Sequence, residues 1–104
     1  MKNKCCDNKK TGKEIEQTVK FLKTISEENR IRILCLLKSG PKCVCKIWPA
    51  LDLSQNLISH HLSVLKASGL VKANKQGLNV FYELNEDTLK QNLNKLNLFL
   101  TSKL

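Results

Sequence analysis

Two cysteines one residue apart, Cys43 and Cys45, precede a run of polar side chains that holds Gln55, Asn56, Ser59, His60 and Ser63. Thiolates capture soft metal ions and also oxidise. Carboxamides, hydroxyls and imidazoles at helical spacing can pair with base edges in the major groove of DNA. The first group is read as a sensor and the second as a DNA reader.

The thiols come first. The chain has five cysteines, an odd number, and its N-terminus is charged without the apolar stretch or cleavage site of a secretory signal. A disulfide framework is therefore not expected, and the cysteines are assigned to metal or redox chemistry in the cytoplasm. On a regular helix Cys43 and Cys45 would point about 200° apart. They can share an ion only if the backbone there is not yet helical, a freedom that Gly40-Pro41-Lys42 supplies. The coming helix N-terminus, with Lys42 and Lys46, is expected to lower the thiol pKa. Soft Cd²⁺, Pb²⁺, Zn²⁺ or As(III) takes three or four ligands. No His, Asp or Cys follows Cys45 within helix reach, since Trp48 stands five residues beyond Cys43. Cys5 and Cys6 are the other clustered thiols, and they are expected to close the site, from the same subunit or its partner. The alternative is that Cys5 and Cys6 are an idle surface pair. Cys35 is expected to be core filling, as buried free cysteines usually are.

Several elements must position these groups. Residues 1–10, rich in lysine and without apolar periodicity, read as a flexible arm carrying Cys5 and Cys6. A winged helix-turn-helix domain is expected over 11–104. Thr11-Gly12-Lys13-Glu14 has capping-box spacing and opens a helix to about Ile25, with Ile15, Val19 and Leu22 on one stripe. Ser26-Glu27-Glu28 starts a second helix, with Ile33, Leu34 and Leu37 inside. It stops at Ser39-Gly40-Pro41. A short third helix over 43–51 is strained by Pro49 and ends in a turn. Ser54 caps a fourth helix, about 55–68, and Gly69 fits its C′ position. The period then changes to that of strands over 70–74 and 79–84. Asn85 caps a last helix whose Leu89, Leu93, Leu96 and Leu100 form an apolar seam. The fold class is mainly α with one small β-hairpin.

On a wheel of the fourth helix, Ile58, Leu62 and Leu65 share a narrow sector and must face the core. Gln55, Asn56, Ser59, Ser63 and Lys66 fall opposite, with His60 at their edge and His61 nearer the core. Such a face is often no more than solvated. The short helix and tight turn before it, and a net charge of +9 from 18 Lys plus Arg against 9 Asp plus Glu, favour double-stranded DNA. Lys72 and Lys75 flank the hairpin, where they would touch phosphates and position the domain without specifying sequence. A metal site on His60 and His61 is disfavoured, because adjacent helical residues point about 100° apart. No run of about 18 apolar residues exists to span a bilayer.

Ser26 to Leu37, Cys43-Val44-Cys45, Leu51 to Leu70 with Ser54-Gln55 and Ser59-His60-His61-Leu62, and the wing through Leu84 together resemble the ArsR/SmtB metalloregulatory repressors. The resemblance covers roughly residues 15–100. It implies a homodimer built on the first and last helices, operator binding without metal, and release when a thiophilic ion binds. It also matches Cys43 and Cys45 to sensor thiols, and Gln55, Asn56, Ser59 and His60 to base-reading positions. Three departures stand out: Lys46 follows the thiol pair where an acidic residue is common, Trp48 replaces a third cysteine, and the last helix has no His or Cys. What remains resembles members that sense Cd/Pb or As(III)/Sb(III), and the two remain alternatives.

A thiol redox or persulfide switch on the same fold is the second reading. An enzyme is not expected, since no acid/base pair, paired nucleophile or phosphate loop is found. A nucleoid-structuring protein is the remaining binding alternative.

Overall fold

The computed structural model describes residues 9–101. In chain order it runs α1 (Lys9–Ile25), α2 (Glu28–Leu37), β1 (Lys42–Cys43), α3 (Val44–Leu51), α4 (Gln55–Ala67), β2 (Val71–Gln76), β3 (Asn79–Leu84) and α5 (Glu86–Leu100). This is a mainly helical winged helix-turn-helix with a small antiparallel sheet. Among the described residues no helix is long and apolar enough to cross a membrane.

α1 begins at Lys9, ahead of Thr11, so Thr11 lies inside the helix and is not its cap. Ile15, Val19 and Leu22 do share a stripe, but it is not the core face: Val19 and Leu22 are exposed. The buried face carries Thr18 and Phe21, with Ile25 packed against the core, roughly a quarter-turn away. α2 is capped by Glu27, whose carboxylate accepts from the Asn29 N–H at 3.2 Å, while Ser26 Oγ donates back to the Lys23 carbonyl. Ile33 and Leu37, four apart, turn inward. Cys35 is exposed, not core filling, because two helical steps from Ile33 carry it about 200° round the axis.

The core lies where α2, α3 and α4 meet. Ile33, Ile47, Ile58 and Leu65 are wholly buried, each side chain contributing about 1.5–3 kcal/mol relative to exposure. α4 ends in a Schellman motif, as its glycine led one to expect. Gly69 takes φ +79°, its N–H donates to the Lys66 carbonyl, and the Leu70 N–H donates to the Leu65 carbonyl.

The sheet is larger than one hairpin. Its order is β1-β3-β2, with Lys42 opposite Tyr82 and Cys43 opposite Phe81. Two residues of β1 carry too little pattern to be seen as a strand, and only pairing with β3 defines them. β2 runs to Gln76, longer than its apolar pattern suggested. This leaves a two-residue turn in which Gly77 takes φ +62°, as a type II′ hairpin requires of its first central position. α5, capped by Asn85, buries none of its residues; Leu93 and Leu100 of the seam are exposed, as is Leu98. Lys95 Nζ donates to Gln17 Oε1 at 3.0 Å, tying α5 to α1.

Candidate DNA-reading face and thiol site

α3 runs on through Pro49 and stops after Leu51, where Asp52 turns left-handed at φ +54°. The Asp52 and Leu53 N–H groups close that turn on the Pro49 and Trp48 carbonyls. Ser54 then accepts from the Leu57 N–H at 3.2 Å and starts α4. The turn is tight and both its ends are hydrogen-bonded, so α4 leaves α3 at a fixed angle.

The two faces of α4 separate as the wheel indicates. Ile58, Leu62 and Leu65 are at most 1% exposed, and Gln55, Asn56, Ser59, His60, Ser63 and Lys66 are all exposed. Leu57, on the first turn, is also exposed. A search for polar base-reading groups alone misses it, although an apolar side chain there can meet a thymine methyl. The two adjacent imidazoles, with ring centroids 5.6 Å apart, have different surroundings. His60 faces solvent, while His61 is buried. His61 Nδ1 accepts from Arg30 Nε at 3.2 Å, and its Nε2 lies 3.3 Å from Glu27 Oε2.

The wing separates its two lysines. Three residues apart on one strand, Lys72 and Lys75 point to opposite sides of the hairpin. Lys72 stands across from Glu83, its Nζ 4.0 Å from the carboxylate, so part of its charge is already answered. Lys75 pairs in register with Val80, nearer the tip, where Leu78 is fully exposed.

The thiols straddle a strand end and a helix start, which meets the condition that the backbone be irregular there. Cys43 closes β1 and caps α3, its buried sulfur accepting from the Cys45 N–H at 3.3 Å. Cys45 sits exposed in the first turn. Its thiol pKa is raised, not lowered as expected. Hydrogen bonding with the Cys43 thiol is the main cause, followed by lost hydration and the charge on Cys43; Lys46 pulls the other way and is outweighed. A groove of about 600 Å³ opens beside them, lined by Cys43, Cys45, Lys42, Lys46 and, from β3, Asn79 and Phe81. Two sulfurs within hydrogen-bonding reach are a fitting pair of donors for one soft ion. Among the described residues no group of three or more His, Cys, Asp or Glu converges to hold a metal. Cys5 and Cys6, expected to complete the shell, lie outside the described residues.

Comparison with known proteins finds related regulators of the same fold. The family described as "Bacterial regulatory protein, arsR family" matches residues 27–73, from the α2 cap into β2. An uncharacterised HTH-type transcriptional regulator of Methanocaldococcus jannaschii is 42% identical over 77 residues, which are 73% of this chain and 86% of that protein. The arsenical resistance operon repressor of Staphylococcus aureus is 38% identical over 80 residues, 74% of this chain and 77% of its own length. Among solved structures, reduced HlyU from Vibrio cholerae superposes with a TM-score of 0.72 at 30% identity, covering 92% of this chain and all of HlyU.

Proposed function

Because the chain belongs to the arsR family of bacterial regulatory proteins, we propose that it is a transcriptional repressor released from operator DNA when a thiophilic metal or metalloid ion binds its cysteines. The observation that carries this reading is the pairing of an exposed polar α4 face with a two-thiol site one short helix away.

α4 enters the major groove. Gln55 and Asn56 pair with base edges, Ser59, His60 and Ser63 extend the contact, and Lys66 meets guanine or phosphate. Lys75 near the wing tip neutralises a phosphate; Lys72 contributes less, since Glu83 already answers it. The protein acts in the cytoplasm as a homodimer through α1 and α5, which covers Val19, Leu22, Leu93 and Leu100. Its half-sites on DNA lie about 34–36 Å apart.

Cys43 and Cys45 hold the inducer, with Cys5 and Cys6 completing its shell. A soft ion there supplies sulfur bonds that replace the thiol protons. Losing its proton frees Cys45 from the hydrogen bond it shares with Cys43. Cys43, at once the end of β1 and the cap of α3, then passes the rearrangement to the helix before the reader. A factor of about 5–150 in operator affinity, or 1–3 kcal/mol, is the usual scale of such coupling. As(III) or Sb(III) and Cd²⁺ or Pb²⁺ are the two inducer classes. Relatives named for arsenical resistance and for cadmium resistance support both classes. A thiol redox or persulfide switch on the same pair of cysteines is the second reading.

The test is a fluorescence titration of a labelled duplex carrying the region upstream of this chain's gene. Arsenite, Cd²⁺ or Pb²⁺ should lower its affinity, and Cys43→Ser and Cys45→Ser should abolish the response while keeping DNA binding. If none of the three ions changes affinity, the metal reading fails. A reversible disulfide that abolishes binding without metal would establish the redox reading instead.

A further inference from the structure

His61 is one of two polar residues buried among the described ones, and the reading of DNA and metal gives it no part. It sits on the reading helix, between exposed His60 and buried Leu62, with its ring turned away from the DNA face. Arg30 Nε donates to its Nδ1 at 3.2 Å, so the ring proton belongs on Nε2, which lies 3.3 Å from Glu27 Oε2. Arg30 reaches further: its Nη1 donates to the Thr24 carbonyl at 3.2 Å, near the end of α1. One guanidinium thus ties α1, α2 and α4 together, and the imidazole is where α4 joins. Glu27, also the α2 cap, stands beside the ring, its buried Oε2 without a hydrogen-bond partner.

We propose that His61 is a positioning residue for DNA reading, whose neutral ring, held between Arg30 and Glu27, sets the pose of α4, and whose protonation releases that pose. This rests on the assignment of α4 as the DNA reader.

Protonation adds an N–H at Nδ1, which then faces the Arg30 N–H, donor against donor. The hydrogen bond is lost and two cations are left in contact. Glu27 favours the charged ring, while burial, Arg30 and His60 oppose it. Burial is the largest of these, and the pKa is lowered from the ordinary histidine value. The sign follows. A folded-state pKa below the unfolded one contributes stability at neutral pH, and that contribution is lost as pH falls through the folded value. Exposed His60 stands beside it on the DNA face. Comparing two duplexes at each pH separates a change in the pose of α4 from a change in charge alone, which acts on both.

The full chain, metal-free and reduced, is titrated with the labelled upstream duplex and with an unrelated duplex between about pH 8 and about pH 5, with circular dichroism at each pH. Preference for the upstream duplex should fall about fivefold or more on the acid side, with helix content unchanged. His61→Gln, which offers an acceptor and a donor but no titrating proton, should keep its neutral-pH preference throughout. Nitrogen NMR of the wild-type imidazoles reads the same grip without a variant. His61 should carry its proton on Nε2 at neutral pH and titrate in step with the loss of preference. A wild-type profile that stays flat or rises in acid overturns the proposal, as does a His61→Gln variant that follows the wild type. Should His61→Gln fail to fold, a charged ring or an Nδ1 proton at neutral pH does the same. A wild type with no preference at neutral pH instead brings down the DNA reading itself, and this proposal with it.

Discussion

Cys43 stands opposite Phe81 across the β1–β3 pairing, so the first thiol of the pair belongs to the same sheet as the wing. The same residue caps α3, accepting the Cys45 N–H. A change at this sulfur therefore reaches two elements through backbone hydrogen bonds. Cys43→Ser keeps an acceptor at the cap and should cost little stability, whereas Cys43→Ala should lose about 1 kcal/mol, the usual value of a cap. Urea unfolding distinguishes them, and equal losses would refute a capping role.

Cys45 should alkylate slowly for so exposed a thiol. Its pKa is raised chiefly by hydrogen bonding with Cys43, so at neutral pH it holds less thiolate than a free cysteine, and labelling should accelerate as pH rises. In Cys43→Ala neither the thiol hydrogen bond nor the neighbouring charge remains, and Cys45 should label faster at neutral pH. Iodoacetamide labelling followed by mass spectrometry reads both rates. A slower rate in the variant would contradict the assigned cause.

Reader and wing should separate by their dependence on sequence and salt. Asn56→Ala is expected to lose about 1–3 kcal/mol on the preferred duplex and little on unrelated DNA. Lys75→Ala should weaken both alike and reduce the salt slope by about one. Lys72→Ala should do less than Lys75→Ala, because Glu83 already offsets its charge. Anisotropy titrations at several salt concentrations give all three, and identical lysine effects would mean that the Glu83 pair is immaterial.

Leu93 is about half exposed on a helix that buries nothing in the single chain. Leu93→Glu should leave circular dichroism unchanged and turn a dimer into a monomer in sedimentation at the same concentration. A variant that still sediments as a dimer would move the interface away from the α5 seam.

Much of this protein is legible along the chain because its signals are local. Ser54 before the α4 apolar stripe, Gly69 after it and Asn85 before α5 mark their boundaries through hydrogen bonds that span only a few residues. The separation of Ile58, Leu62 and Leu65 from Gln55, Asn56, Ser59 and His60 is a property of helical period alone, and the fold class follows from the order of such elements. Thr11 shows the limit of such local signals: its capping-box spacing is equally at home inside a helix that starts earlier.

What tertiary structure decided is what depends on residues far apart. β1 exists because β3 returns to pair with it, and that pairing places Cys43 in the sheet. The raised Cys45 pKa follows from side-chain geometry at a helix start, where the neighbouring sulfur outweighs the lysine charge. Cys35 and the Val19 and Leu22 stripe are exposed because other residues of α2 and α1 took the inward face, a choice made by the partners those helices pack against. So it is with the thiol pair and the reader that follows it: their identities are written in order along the chain. The proposed coupling between them is not, because the strand pairing and the cap at Cys43 that would carry it join groups that only the folded chain brings within hydrogen-bonding distance.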